Sequence, residues 1–307
     1  MKHIILTLLL AVMVLVTFAQ KQVTITMDDL PNYSVHDPEN KLLHLVDSLQ
    51  LPFCILINGR MMFENDSVMA QNSMAEWGKR NYVTIGNHTF THPWYSESVF
   101  ENFTQEIGKN QKVIAAYIPI GKKEPKFFKF PFNDLGKDSL QNTRIKQWLG
   151  DNGYVIAPYT VESEDYIFNT IYEYYLKNNE PAKADSIGRL YVTKTMEFFT
   201  YFEGLSEQMF NRPISQIYQS HDNILNTLYL PEILKQLKER GYTFISLQEA
   251  LTDPAYKSTD YFFGKWGISW IYRWIADADQ RMKLLRAEPD NATVEKFYEE
   301  IQKQNKD

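Results

Sequence analysis

The sequence predicts an α/β protein with a largely parallel sheet, either open or closed as a barrel. Short β-rich segments recur along the chain, and stretches with apolar residues at helical spacing separate them. Strands that alternate with helices are typical of parallel sheets. Seven candidate strands over roughly 230 residues fit a single barrel-sized domain.

The candidate strands are the segments richest in β-branched and aromatic residues. The first predicted helix covers 38–50, where leucine and valine recur at amphipathic spacing. A later one covers 223–239, and Gly241 beyond it is typical of a helix end. In chain order the strands are 22–27, 53–57, 82–85, 127–130, 154–157, 216–219 and 242–245.

Two regions depart from this alternation. Residues 166–212 are aromatic and helix-like, and we predict a helical insertion there between the last strands. The insertion either packs onto the barrel as a helix pair or forms an aromatic wall beside a sugar groove. Residues 251–307 are predicted to form a C-terminal helical extension, in which Trp266, Trp270 and Trp274 at a spacing of four indicate one buried helix face.

The first 19 residues have the features of a secretory signal peptide. Lys2 precedes an apolar run over 4–16, and Ala19 supplies the small residue that signal peptidase prefers. The run is shorter than the ~18–20 residues that cross a bilayer. We therefore expect export, to the periplasm or outside the cell, after cleavage near Ala19–Gln20, with an uncleaved anchor as the alternative. The mature chain is expected to lack a membrane span.

Composition excludes several classes of protein. The chain has 307 residues, of which 44% are hydrophobic and 23% charged, so it is not intrinsically disordered. A net charge of −6 and a pI near 5.6 argue against binding to a nucleic-acid backbone. The single cysteine, Cys54, excludes an internal disulfide and any multi-cysteine metal site. No feature indicates an obligate protein partner.

Reactive groups in parallel α/β proteins sit at the carboxyl ends of the strands. Asp28 and Asp29 follow the first strand, where they either share a cation or proton or form a capped turn. His88 and His92 follow the third strand, and a spacing of four can place two imidazoles on one helical face, near enough to share a metal. Two histidines and one aspartate leave open coordination positions, as a catalytic metal needs.

Three further strand ends carry ionisable groups. Lys129 is a cation in an apolar run, and it either snorkels to the surface or keeps a nearby carboxylate ionised. Asp165 lies in an acidic stretch after the fifth strand, where it could also cap the next helix. His221 follows the sixth strand and is either structural or part of the same barrel mouth.

This ordered set resembles the polysaccharide deacetylase family, carbohydrate esterase family 4, over roughly residues 20–250. The family carries five motifs in order. Thr-Met-Asp-Asp at 26–29 resembles the first, and His-Thr-Phe-Thr-His at 88–92 matches the second in full. Lys-Phe-Pro-Phe at 129–132, the acidic stretch 163–166 and His221 resemble the third to fifth.

The resemblance implies a distorted (β/α)7 barrel that hydrolyses N-acetyl or O-acetyl groups of glycans with a divalent metal. Zinc is expected, with Co²⁺, Ni²⁺ and Mn²⁺ as alternatives. The resemblance implies that Asp29, His88 and His92 hold the metal, and that Asp28 is the general base with Lys129 as its cation. It implies that His221 is the general acid, oriented by Asp165. The backbone N–H of Phe132 would hold the oxyanion, and Tyr166 would form a wall of the groove.

Three departures from the family pattern involve four positions. Lys129 replaces an arginine and loses its planar fork. Tyr166 replaces a tryptophan, and Gln219 and Ser220 replace an apolar pocket beside His221. We therefore consider three functions: a secreted glycan N-deacetylase, an O-acetyl esterase or small-molecule amidase on the same fold, and a catalytically silent glycan-binding protein.

Overall fold

The computed structural model describes residues 20–64, 67–122 and 125–304. The predicted signal peptide at 1–19 lies outside the described residues. Within them, each predicted strand is present. The first, third and sixth strands run beyond their predicted carboxyl ends, so that Asp28, Asp29 and His221 lie within strands. The strands are β1 Gln22–Leu30, β2 Phe53–Ile57, β3 Val83–Asn87, β4 Lys126–Phe128, β5 Tyr154–Ile156, β6 Gln216–His221 and β7 Thr243–Phe244.

The described strands form one parallel sheet in the order β5-β4-β3-β2-β1-β6, and β7 pairs with the start of β1. The chain just after β5 curls the sheet toward closure. Thr160 donates its backbone N–H to Ile217 of β6 (2.9 Å), and Val161 bridges Tyr218 in parallel. The result is a curled half-barrel, and the predicted distorted (β/α)7 barrel is confirmed.

Helices cover the sheet, and the strands are buried accordingly. Each residue of β2, Phe-Cys-Ile-Leu-Ile, is buried, which is typical of a parallel strand covered on both faces. No helix in the described part of the chain has the length and hydrophobicity that a membrane crossing requires. The α-helices are α1 Lys41–Leu49, α2 Ser67–Gly78, α3 Phe100–Ala115, α4 Ser139–Asp151, α5 Asp165–Lys177, α6 Pro181–Phe210, α7 Ile224–Glu239, α8 Leu247–Ala250, α9 Trp270–Arg273, α10 Ala278–Leu285 and α11 Ala292–Gln304.

Helices α5 and α6 occupy the aromatic stretch between β5 and β6, so its predicted helical structure is confirmed. Phe168, Tyr191, Phe199 and Phe202 are all buried in the main hydrophobic core. The pair therefore packs onto the sheet, as the first of the two interpretations predicts. The predicted helix at 223–239 is α7.

The prediction of one buried tryptophan face in the C-terminal segment is wrong. Helix α9 holds only four residues and begins at Trp270. Trp266 lies before it in a loop and is 65% exposed, whereas Trp274 is buried. Glycines at 264 and 267 flank Trp266, and glycine disfavours the helix that the spacing suggested.

Candidate active site

A cavity of about 550 Å³ opens at the carboxyl ends of β1, β3 and β6. Its volume lies within the ~300–1,000 Å³ typical of small-ligand sites. The barrel, the loop after β4 and the C-terminal segment all contribute to its wall. The lining residues are Asp28, Asp29, His88, His92, Trp94, Phe132, Asn133, Tyr159, Glu162, Tyr166, Gln219, His221, Trp266, Gly267 and Tyr298.

Asp29, His88 and His92 converge on one side of this cavity. Asp29 Oδ1 lies 3.7 Å from His88 Nε2 and 3.6 Å from His92 Nε2. The three ligand atoms fall within 4.8 Å of one another, close enough for one ion to contact all three. Asp29 Oδ1 is buried and has no hydrogen-bond partner in the described residues, so it remains available as a metal ligand.

An irregularity in β1 orients the Asp29 side chain. Between Met27 and Leu30, β1 advances one residue more than its neighbour β2, whose paired residues are Ile55 and Ile57. Asp29 itself has a left-handed backbone with φ 64°. An extra residue in a strand redirects the local side chains, and such bulges recur beside active sites. The bulge therefore explains how adjacent aspartates serve different parts of the cavity.

The hydrogen bonding of His88 leaves one ring nitrogen available as a candidate metal ligand. Its Nδ1–H donates to the backbone carbonyl of Lys129 (2.9 Å). Because a carbonyl only accepts, Nδ1 carries the proton and Nε2 presents its lone pair to Asp29 and His92. Burial lowers the pKa of His88 to about 3, so the ring is neutral. These donors fit a divalent metal such as zinc.

The histidine pair lies in a loop after β3, not on the helix that the spacing of four suggested. The rings still meet, with centroids 4.9 Å apart. Thr89 and His92 have left-handed backbones, with φ 63° and 59°. Hydrogen bonds from Thr89 N to Asn87 Oδ1 (3.0 Å) and from His92 N to Thr89 Oγ1 (3.1 Å) hold this strained turn.

Asp28 and Lys129 form the second pair of groups. Both side chains are buried, at 2% and 1% exposure, so Lys129 does not snorkel. Burial raises the pKa of Asp28, and the nearby charge of Lys129 lowers it. Among the described residues, Asp28 Oδ1 and Lys129 Nζ have no hydrogen-bond partner. Burial lowers the pKa of Lys129, whereas the Asp28 carboxylate and the Tyr159 ring, whose centre lies 5.1 Å from Nζ, favour its cationic form.

His221 and Asp165 are joined on the opposite side of the cavity. His221 Nδ1–H donates to Asp165 Oδ1 (2.6 Å), and its backbone N–H donates to Asp165 Oδ2 (2.7 Å). Burial alone would lower the pKa of His221, but the Asp165 carboxylate raises it to about 10. The parallel register pairs Asp28 of β1 with His221 of β6, so the two groups leave adjacent strands at one level.

A buried network continues behind Asp165. Asn226 donates to Asp165 Oδ2 and to the carbonyl of His221 (2.9 Å). Tyr191 of α6 donates its hydroxyl to Asn226 Oδ1 (2.7 Å) and contacts the hydroxyl of Tyr218 (2.6 Å). The long helix of the insertion therefore reaches the His221–Asp165 pair through two buried side chains.

Aromatic side chains form the walls of the cavity. Phe132, in a left-handed conformation with φ 57°, lies 4.5 Å from the His92 ring and stacks on Trp94 at 3.7 Å. Tyr166 lies 6.3 Å from the His221 ring and 6.2 Å from Tyr298 of α11. The two aromatic groups thus flank different histidines.

The third departure from the family pattern, at Gln219 and Ser220, places a polar side chain, that of Gln219, in the cavity lining. Gln219 Oε1 accepts a hydrogen bond from Asn133 (3.1 Å), and Ser220 is buried away from the cavity, bonded to the carbonyl of Thr26 (3.0 Å). Sequence reasoning missed Trp94, Trp266 and Tyr298 as cavity residues. The position of Trp94 two residues after His92 could have indicated it, whereas no local pattern marks Tyr298.

The family model described as polysaccharide deacetylase matches residues 16–153. This span contains the metal-side residues and Lys129, and it ends before Asp165 and His221. The predicted resemblance to the polysaccharide deacetylase family is confirmed. A comparison with curated proteins gave no match.

Solved structures of polysaccharide deacetylases share the fold. The polysaccharide deacetylase Bc1974 from Bacillus cereus matches at 21% identity and a TM-score of 0.52, covering 74% of this chain and 92% of that one. The peptidoglycan deacetylase PdaC from Bacillus subtilis matches at 17% identity and a TM-score of 0.50, covering 76% and 92%. A carbohydrate esterase family 4 pseudoenzyme from Bacillus anthracis matches at 18% identity and a TM-score of 0.49, covering 76% and 66%.

Proposed function

We propose that this chain is an exported, metal-dependent deacetylase that hydrolyses N-acetyl groups of a glycan. The observation that carries the proposal is the meeting of three kinds of group in one cavity. These are a ligand cluster for a cation, a buried carboxylate beside a lysine, and a histidine whose pKa is raised to about 10. The residues at 1–19 support export.

Attack on the acetyl carbon requires a base and charge stabilisation. A zinc ion held by Asp29, His88 and His92 would supply Lewis-acid polarisation of the carbonyl and of the attacking water. Asp28 takes the proton as the water oxygen bonds to the carbon. The charge of Lys129 opposes the rise in the pKa of Asp28 that burial causes. The backbone N–H of Phe132, in the cavity wall, donates to the developing oxyanion.

Collapse of the tetrahedral species breaks the bond between carbon and nitrogen. His221 gives its Nε2 proton to the departing nitrogen, because an unprotonated amide nitrogen is a very poor leaving group. Asp165 holds the ring and stabilises its cationic form. The proton taken by Asp28 and the proton given by His221 balance, and the products are acetate and a free amine.

A matched pair of substitutions at adjacent positions tests the assignment. Asp28→Asn is expected to lower acetate release from N-acetylglucosamine oligomers by about 10²–10⁴-fold with zinc still bound, since the base is lost. Asp29→Asn should instead lose zinc affinity. Zinc stoichiometry by mass spectrometry and acetate release by coupled assay separate the two outcomes. Full acetate release by Asp28→Asn, or equal loss of zinc in both variants, would contradict the roles.

The bond cleaved is tested separately. The wild-type chain with zinc is offered N-acetylglucosamine oligomers, peptidoglycan and acetylated xylan, and each assay is repeated after chelation. We expect chelator-sensitive release from an N-acetyl substrate. Release from xylan alone would replace the proposal with an O-acetyl esterase, and zinc binding with no release would indicate a silent glycan-binding protein.

A further inference from the structure

The C-terminal segment supplies side chains to the cavity from two separate places. Trp266 comes from the loop before α9, and Tyr298 comes from α11. Neither has a part in the chemistry described above. Trp266 is 65% exposed at the rim of the cavity. It forms a contiguous aromatic group with Trp94 and Phe132 beside the pocket, and an exposed apolar patch at such a place is typical of a ligand-contacting surface.

Trp266 is one of three adjacent aromatic rings at this rim. Its edge meets Trp94, with centroids 4.5 Å apart and planes at 80°. Trp94 is partly covered, because Phe132 stacks on it at 3.7 Å and Lys265 Nζ lies 4.9 Å from its ring centre. Phe132 is 38% exposed, so Trp266 is the most exposed of the three rings.

The backbone around Trp266 is held against the catalytic loop. Gly267 donates its N–H to the carbonyl of Phe132 (3.3 Å), and a Cβ at Gly267 would lie 2.0 Å from the Cβ of Asn133. This approach is possible only for glycine. On the other flank of Trp266, Lys265 forms an ion pair with Glu97 at the surface. The loop thus places Trp266 at a set position relative to the proposed oxyanion donor.

We propose that Trp266 is the binding platform for the sugar ring next to the one that loses its acetyl group. This rests on the proposed function and names its substrate class: an oligosaccharide of at least two pyranose units. A pyranose presents an apolar face of C–H groups, and covering the tryptophan ring with that face removes apolar surface from water. A single acetylated sugar held at Asp28 and His221 fills the interior of the cavity, and its neighbour lies over the rim.

Binding to an inactive chain tests this inference without turnover. In the Asp28→Asn background with zinc, calorimetry measures the Kd for N-acetylglucosamine, chitotetraose and acetylated xylotetraose. Adding Trp266→Ala should weaken binding of the preferred tetramer by about tenfold, and at least five times more than binding of the monomer. Trp266→Phe should recover most of the lost affinity. Phe263→Ala, another exposed aromatic of this segment outside the cavity lining, is the matched control and should change neither Kd.

The outcomes divide the two proposals. Three results would contradict the role of Trp266 as a platform. Trp266→Ala could weaken monomer and tetramer binding equally, it could leave the tetramer Kd unchanged, or neither tetramer could bind to the Asp28→Asn chain that keeps Trp266. Tetramer binding that depends on Trp266, with no acetate release by the wild-type chain, would instead refute the deacetylase and leave the platform in place. Circular dichroism of each variant verifies the fold.

Discussion

The two sides of the cavity differ in how completely the chain satisfies its own polar groups. On the metal side, Asp28 Oδ1, Asp29 Oδ1 and Lys129 Nζ are buried without a hydrogen-bond partner in the described residues. On the acid side, each oxygen of Asp165 accepts hydrogen bonds, from His221, Asn223 and Asn226. A buried polar atom without a hydrogen bond lowers the stability of the fold, so such atoms are rare in native structures and often mark a binding or catalytic site.

The difference indicates that hydrogen bonds within the chain order the acid side, whereas the metal side has polar atoms that such bonds do not satisfy. The acid side is complete from this chain alone, through bonds that run back to Tyr191 of α6. The metal side leaves buried polar atoms without a partner among the described residues, as the proposed binding of a cation by Asp29, His88 and His92 would require. Substitutions on the acid side should therefore change proton transfer without changing metal affinity, whereas substitution of the proposed ligands Asp29, His88 and His92 should lower metal affinity.

The largest expected effect that separates the sides comes from His221→Asn. We expect acetate release from an N-acetyl substrate to fall about 10²–10⁴-fold, because the leaving nitrogen is no longer protonated. Release from p-nitrophenyl acetate should fall less than tenfold, since that leaving group departs without a proton. Zinc affinity, measured by calorimetry, should stay at the wild-type value. Equal losses on both substrates, or a loss of zinc, would show that His221 belongs to the metal side.

A second test uses the pH dependence of stability. The pKa of His221 is about 10 in the folded chain against 6.5 for a free histidine. Between these values only the folded state holds the proton, so the stability that His221 contributes is complete below pH 6.5 and is lost as the pH rises toward 10. Urea unfolding with a chelator present should therefore show a fall from pH 6.5 to 9, steeper in the wild type than in His221→Asn.

The control for this slope is His44→Asn, because His44 is an exposed histidine on α1. It removes a histidine without touching either side of the cavity, and its slope should match that of the wild type. Between pH 6.5 and 9 the folded state binds one more proton than the unfolded state. The free energy of unfolding should therefore fall by about 1.4 kcal/mol for each pH unit. Parallel curves for the wild type and His221→Asn would contradict the raised pKa.

The sequence predicted the site best where a strand end carries the chemistry. Asp28, His88 and His221 sit at such ends, and the carboxyl ends of parallel strands meet at one edge whatever the loops do. It failed where a side chain is placed by contacts distant in the chain. Trp266 repeats at helical spacing with Trp270, but its loop is fixed by the carbonyl of Phe132, more than a hundred residues earlier.

Burial of ionisable groups was also beyond local pattern. Lys129 has the same neighbours in sequence whether it snorkels or not, and the Tyr159 ring that lies 5.1 Å from its Nζ comes from thirty residues further along the chain. The bulge that gives Asp28 and Asp29 separate directions depends on the pairing of β1 with β2, which two adjacent acids do not reveal.

The smallest expected effect tests how far the acid side extends into the insertion. Tyr191→Phe removes the hydroxyl that donates a hydrogen bond to Asn226 Oδ1. Asn226 in turn donates to Asp165, so the substitution weakens the position of Asp165 indirectly. We expect acetate release to fall about 2–10-fold and the pKa of His221, followed by NMR titration, to drop. Tyr201→Phe on the same helix is the control, because the Tyr201 hydroxyl donates to the carbonyl of Leu284 (2.6 Å) and not to the network around Asp165. It should lower stability by a similar amount, about 1 kcal/mol, and leave the His221 titration alone. If both variants slow acetate release equally while His221 titrates unchanged, Tyr191 only stabilises the fold, and the acid side ends at Asn226.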